Sequence, residues 1–180
     1  LCTFLNQYLT PMTDAVMDRR GTVDKFIGDA VMAFWNAPLP TPNHVRQACN
    51  CALTMLQELE ILNASWAAKG RPTIRIGIGI HCGGARVGNM GAKQRFEYTV
   101  IGDTVNLACR LEGLTKIYGA DILVSDAVYK VLEKSSFVLR VVDTVRVMGR
   151  TKPVQVYELL GKRRLGNQAD STLGRTEWLG

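Results

Sequence analysis

No stretch of this sequence is apolar for the twenty or so residues that span a bilayer, and no basic segment leads an apolar one at the N-terminus. The segment is therefore expected to make no membrane contact of its own, even if its parent protein is anchored. The five cysteines, Cys2, Cys49, Cys51, Cys82 and Cys109, include no CxxC pair of the kind a zinc or redox site needs. An odd, scattered set fits free thiols in a reducing compartment, so a cytoplasmic location is expected. There is no GxxxxGK[ST] loop, no HExxH and no GxSxG. Histidine is scarce too: His44 and His81 stand far apart, as ordinary helix-start and strand-end residues. No internal repeat is visible.

What is present fits one domain: 180 residues, 47% of them hydrophobic, enough for a single core. The formal charge, 22 basic minus 16 acidic residues or +6, suits nucleotides, nucleic acid or a membrane surface equally well. The basic residues are scattered, with one run at Lys162-Arg163-Arg164, so no nucleic acid partner is expected.

Leu1 to Arg20 reads as a helix with an apolar stripe at Leu1, Leu5, Tyr8, Met12 and Ala15, ended by Gly21. Thr22–Ile27 and Ala30–Trp35 read as strands joined by a Gly28-Asp29 turn. Thr41-Pro42-Asn43 looks like an N-cap with proline at the first helical position, opening a long helix that Gly70 closes. Ile74 to Ile80 is a β-type run, Gly83 to Gly91 a flexible glycine-rich bend, and Gln94 to Ile101 another strand. Asp103 is placed to cap a helix from Thr104 to Tyr118. Ile122–Val124 follows as a strand, Ser125 caps a short helix, and Phe137–Val147 and Pro153–Leu160 are closing strands. Residues 162–180 form a polar tail expected to be poorly ordered, which leaves 1–161 as the domain. Strand and helix do not alternate, so the class is α+β.

Two patterns carry chemistry. Asp29, on a tight turn between two apolar strands, could coordinate Mg²⁺ beside a nucleotide's phosphates, or could be a solvated turn carboxylate. Asn106 and Arg110, one turn apart on a helix, could reach a phosphoryl group together, the arginine offering a bidentate fork, or could line a polar helix face. Lys25, four residues before Asp29, reads equally as a surface lysine beside Asp24.

Taken in order, the segments Asp24-Lys25-Phe26-Ile27-Gly28-Asp29-Ala30-Val31-Met32-Ala33-Phe34, Ile76-Gly77-Ile78-Gly79-Ile80-His81 and Phe96 through Glu112 resemble the class III nucleotidyl cyclases of bacterial, homodimeric type. The likeness is colinear from about Leu1 to Gly161. It implies a ferredoxin-like palm (a βαββαβ-type fold), working as a dimer, that converts a nucleoside triphosphate to its 3′,5′-cyclic monophosphate with release of pyrophosphate. By resemblance, Asp29 is the second of two aspartates holding two Mg²⁺ or Mn²⁺ ions. Lys25 and Thr99 occupy the base-reading positions, and this combination favours ATP over GTP. Asn106 orients the ribose and Arg110 stabilises charge at the α-phosphate. The metal aspartates of one subunit face the base-reading and transition-state residues of the other, so Asp29 and Lys25 of one chain serve different sites.

The resemblance also places the first metal aspartate on a palm strand before Leu1, so the family's first strand is expected to be missing from this chain. The usual triphosphate lysine falls on Met148, with Arg146, Arg150 or Lys152 as replacements. These two departures favour an alternative, a weak or inactive cyclase-homology domain that binds nucleotide or a partner cyclase chain for regulation. The joint retention of Lys25, Asp29, Thr99, Asn106 and Arg110 opposes it.

Overall fold

The structure is a computed structural model describing residues 2–92, 94–132, 137–146 and 153–163. The element order is α1 (Cys2–Asp18), β1 (Thr22–Ile27), β2 (Ala30–Phe34), α2 (His44–Ala67), β3 (Ile78–Ile80), β4 (Arg86–Ala92), β5 (Arg95–Ile101), α3 (Asp103–Tyr118), β6 (Ile122–Ser125), α4 (Asp126–Leu132), β7 (Phe137–Val145) and β8 (Val154–Lys162). The expected mixed α+β architecture is present.

A four-stranded sheet in the order β3-β6-β8-β7 forms the centre, with β3 parallel to β6 and the other pairs antiparallel. Successive residues of a strand point to opposite faces, and β6 is buried on both. Ile122 and Val124 pack against Val45, Cys49 and Ala52 of α2 and Val128 and Leu132 of α4. Leu123 lies on the other face with Leu107 and Leu111 of α3 and Val154 and Val156 of β8. The sheet is thus sandwiched between α2 with α4 and α3. Outside it, α1 packs along α2 through Tyr8, Met12, Leu59 and Trp66. The Trp66 ring lies 4.4 Å from that of Phe4, and its Nε1 donates to Gln7 Oε1 at 3.2 Å.

The β1–β2 and β4–β5 pairs are separate two-stranded sheets. The first turns at Gly28, whose φ of +64° lies in the left-handed region that glycine enters without strain. The second corrects the glycine-rich bend expected from the sequence: Arg86–Ala92 is a strand, paired residue for residue with β5 from Arg86↔Ile101 to Ala92↔Arg95. Its glycines hid a pattern that its partner supplies.

Three other expectations shift. The Ile74–Ile80 run is a strand only over Ile78–Ile80. Ahead of it, the Asn63 amide takes the place of a strand partner, accepting from Ile74 N–H at 3.0 Å and donating to Ile74 carbonyl at 2.8 Å. The long helix begins at His44 behind a left-handed Asn43 (φ +56°), because Thr41 gives its N–H to the Asn36 side chain at 2.9 Å and stands outside the helix. Asp103 is the first helical residue of α3 and Gly102 its N-cap, without a side-chain cap bond. Ser125 does cap α4, accepting from Val128 N–H at 3.5 Å.

The seating of α3 depends on two glycines. A Cβ on Gly79 would lie 2.2 Å from Ala108 carbonyl oxygen and 2.3 Å from Glu112 nitrogen, and one on Gly77 would lie 2.0 Å from Thr115 Oγ1. At Gly79 the obstacle is helix backbone, which cannot rotate away. Gly79→Ala is therefore expected to lower unfolding stability by about 1–3 kcal/mol, the usual cost of overpacking, in urea denaturation. A variant as stable as the parent would show that α3 does not rest on this contact.

Candidate active site

Four of the five sequence-derived site residues lie on β1, β5 and the start of α3. Strand β1 would ordinarily point Asp24 and Lys25 to opposite faces, but its pairing with β2 skips from Val23↔Ala33 to Lys25↔Met32. Asp24 is the extra residue of this β-bulge, a distortion that re-aims side chains. Both charged groups consequently reach β5. Asp24 Oδ2 accepts from the Thr99 hydroxyl at 2.7 Å and from Val100 N–H at 3.1 Å. Lys25 Nζ lies 3.3 Å from Glu97 Oε2 and 3.4 Å from Asp24 Oδ1.

The two carboxylates differ in setting. Glu97 is half-exposed, whereas the Asp24 side chain is 1% exposed. Pairing with Glu97, reinforced by Asp24, raises the Lys25 ammonium above its ordinary value even though partial desolvation opposes it. Lys25 and then Arg95, 3.0 Å from Oε1, hold Glu97 below the usual carboxylate range. Asp24 and Glu97 are partners of the candidate residues Lys25 and Thr99 that reading the sequence alone did not single out. The signal available was two adjacent opposite charges inside a short apolar strand.

Gly102, with φ +144°, turns the chain from β5 directly into α3. Thr104 Oγ1 ties the start of that helix to Gly84 carbonyl at 2.7 Å. Asn106 and Arg110 are both exposed on α3, while Leu107 and Leu111 beside them are buried. The pair therefore faces outward from a helix fixed on its other side.

Asp29 stands apart, exposed on the β1–β2 turn. Lys25 and Thr99 direct their bonds to Asp24 and Glu97, and none to Asp29. Beneath the hairpin, burial and then the charge of Asp29 raise the Tyr8 phenol. Among the described residues no group of three or more His, Cys, Asp or Glu side chains converges to hold a metal ion. Asp29 offers a single carboxylate, which suits Mg²⁺ held mainly by water and phosphate oxygens. The residues present thus fit one share of a two-ion set. Arg146 is exposed after β7, and Met148, Arg150 and Lys152 lie outside the described residues.

A colinear match over residues 1–161 to the family model described as the adenylate and guanylate cyclase catalytic domain accounts for this arrangement. The chain belongs to that family. It is 40% identical over 167 residues to adenylate cyclase 1 of Rhizobium meliloti (strain 1021), covering 93% of this chain and 25% of that relative. The chain therefore spans about a quarter of the relative's length. Among solved structures it resembles the adenylyl cyclase CyaB from P. aeruginosa, with a TM-score of 0.80 and 33% identity, covering 91% of this chain and 84% of that one. It also resembles the guanylyl cyclase Cya2, with a TM-score of 0.79 and 27% identity over 92% of this cyclase domain and 83% of the other chain. The fold is shared by cyclases named for either purine. Among the described residues no helix is long and apolar enough to cross a membrane.

The Lys25–Glu97 pair gives this cyclase domain a checkable pH signature. Because Glu97 is depressed in the folded state, its contribution to stability is present above the ordinary carboxylate value of about 4.3 and fades as pH falls through the lowered one. Glu97→Gln removes the main cause of the raised Lys25 value, so its ammonium should titrate at lower pH when followed by side-chain NMR. An unchanged Lys25 titration would contradict the pairing.

Proposed function

We propose that this domain is the catalytic part of an adenylate cyclase, forming 3′,5′-cyclic AMP and pyrophosphate from ATP at a site shared by two copies. The observation that carries the choice of ATP is the arrangement on β1 and β5. Lys25 supplies only donors and Thr99 gives its hydroxyl proton to Asp24. Lys25 would donate to adenine N1, and Thr99 would accept from the 6-amino group.

In the reaction the ribose 3′-oxygen attacks the α-phosphorus, the bond to the bridging oxygen of pyrophosphate breaks, pyrophosphate leaves with that bond's electron pair, and the 3′-hydroxyl proton is released to solvent. Asn106 holds the ribose so that this oxygen lies in line. Arg110 directs its guanidinium at the α-phosphate, where negative charge grows in the transition state. Asp29 of the other copy would bind in part the two Mg²⁺ or Mn²⁺ ions, which when bound lower the pKa of the 3′-hydroxyl and neutralise the triphosphate. Positioning and charge thus supply most of the rate.

Sharing between copies is supported by the surface beside these residues. Phe26 (50% exposed), Ile27 (61%), Phe96 (61%) and Ile101 (49%) leave apolar surface on the two hairpins. Large apolar side chains left exposed beside these residues suit an association surface. Met148, where the resemblance puts the triphosphate lysine, favours a second reading, a cyclase-homology domain that binds nucleotide and regulates a partner without turnover.

One assay separates the two. Protein carrying this domain with its native flanking sequence should release cyclic AMP from ATP with Mn²⁺ or Mg²⁺, and Arg110→Ala should lower kcat by about 10²-fold or more. Asp29→Ala should also depress it. Mixing Lys25→Ala with Asp29→Ala chains should restore part of the activity, because one of the two sites in the mixed dimer keeps every residue. Protein that dimerises and binds ATP yet makes no cyclic AMP would establish the regulatory reading.

A further inference from the structure

Asp24 is a buried carboxylate beside two residues proposed to read a base, and burial without partners would be costly for it. Oδ2 is satisfied twice, by the Thr99 hydroxyl at 2.7 Å and by Val100 N–H at 3.1 Å. Oδ1 is buried, makes no hydrogen bond among the described residues, and faces the Lys25 ammonium at 3.4 Å. The bulge in β1 exists at this residue alone among the β1–β2 pairs.

A threonine hydroxyl has one proton to give and two lone pairs to offer, and a carboxylate can only accept. With its proton committed to Asp24, Thr99 presents only lone pairs to anything docking against it. Lys25 presents only protons. The pair therefore offers a donor beside an acceptor in fixed order. Adenine carries the complement, an N1 lone pair beside a 6-amino donor. Guanine carries the inverse, an N1 proton beside the O6 lone pairs. A freely rotating hydroxyl would relieve the mismatch at position 6, since it could turn its proton toward O6, and would leave Lys25 against the N1 proton as the one remaining discrimination.

We propose that Asp24 is a positioning residue for purine selection, which locks the Thr99 hydroxyl as an acceptor and so makes the site reject guanine. It acts through Thr99 and does not itself touch the base. The inference rests on the reading of Lys25 and Thr99 as base-contacting residues. The same carboxylate also steadies the Lys25 ammonium, so one buried oxygen pair orients both reading groups.

The test compares kcat/KM for ATP and GTP in protein with its native flanking sequence. Asp24→Ala should lower the ATP-to-GTP ratio by at least about tenfold, the scale expected when a mispaired polar contact in the site is relieved. Asp24→Asn removes the charge but keeps an amide oxygen, which Val100 N–H holds toward Thr99, so the ratio should stay within about threefold of the parent. In a Thr99→Val background Asp24→Ala should leave the ratio unchanged, because the hydroxyl it orients is gone.

A folded Asp24→Ala protein with the parental ratio overturns the proposal. If that variant does not fold, the unaltered protein decides with inosine triphosphate, which has guanine's N1 proton and O6 but no 2-amino group. Use as efficient as that of ATP refutes an acceptor-only hydroxyl beside a donor-only Lys25, and rejection comparable to that of GTP supports that fixed pairing as a unit. Lys25→Glu with Thr99→Cys distinguishes the two levels of failure. A shift toward GTP there with none in Asp24→Ala removes Asp24 alone, whereas retained ATP preference removes the base-reading assignment and this inference with it.

Discussion

The hydrogen bonds from Thr99 and Val100 to the Asp24 carboxylate hold together parts of the molecule that the backbone leaves apart. Among the described residues the β1–β2 sheet and the β4–β5 sheet share no ladder with each other or with the central sheet. Among the described residues the two hairpins are joined through side chains: Asp24 to β5, Lys25 to Glu97, and the Phe34 ring of β2, 6.1 Å from that of Tyr98 on β5. A charge-assisted bond to a buried carboxylate is stronger and more directional than an exposed ion pair. Of the two polar links, Asp24 therefore sets the spacing, and Lys25–Glu97 follows it.

From β5 the same constraint passes into α3. The turn at Gly102 allows no spacer between the strand that holds Thr99 and the helix that holds Asn106 and Arg110. The helix is fixed in turn by Leu107 and Leu111 in the core and by its close approach to Gly79. Groups proposed to touch base, ribose and phosphate are thus mounted on consecutive elements, seated on a common core. Such mounting suits a reaction whose barrier is lowered chiefly by geometry and fixed charge.

Much of this was legible in the sequence. The Gly28-Asp29 turn between two apolar runs gave the first hairpin, and the Leu107, Leu111, Leu114 and Tyr118 spacing gave α3 with Asn106 and Arg110 on its open face. Strand β4 was not legible, since Gly88 and Gly91 lack the side chains that betray period-two alternation, and its order comes from pairing with β5. The boundary of α2 was misjudged because Thr41 spends its N–H on Asn36, a contact that propensity does not encode. Thr99 has no local signature and was visible only through family resemblance. Asp24 was harder still, because its role depends on a bulge that changes which face of β1 it serves.

Under this proposal Lys25 and an acceptor-only Thr99 read adenine while a second copy of the chain supplies Asp29. That arrangement is tested most directly by a crystal structure with an unreactive ATP analogue and a divalent ion. Adenine N1 is expected within hydrogen-bond reach of Lys25 Nζ and the 6-amino group at Thr99 Oγ1, with Asp24 still accepting from that hydroxyl. The triphosphate is expected beside Asp29 of the other copy. An adenine bound away from Lys25 and Thr99, or a triphosphate held at Asp29 of the chain that holds the base, would contradict it.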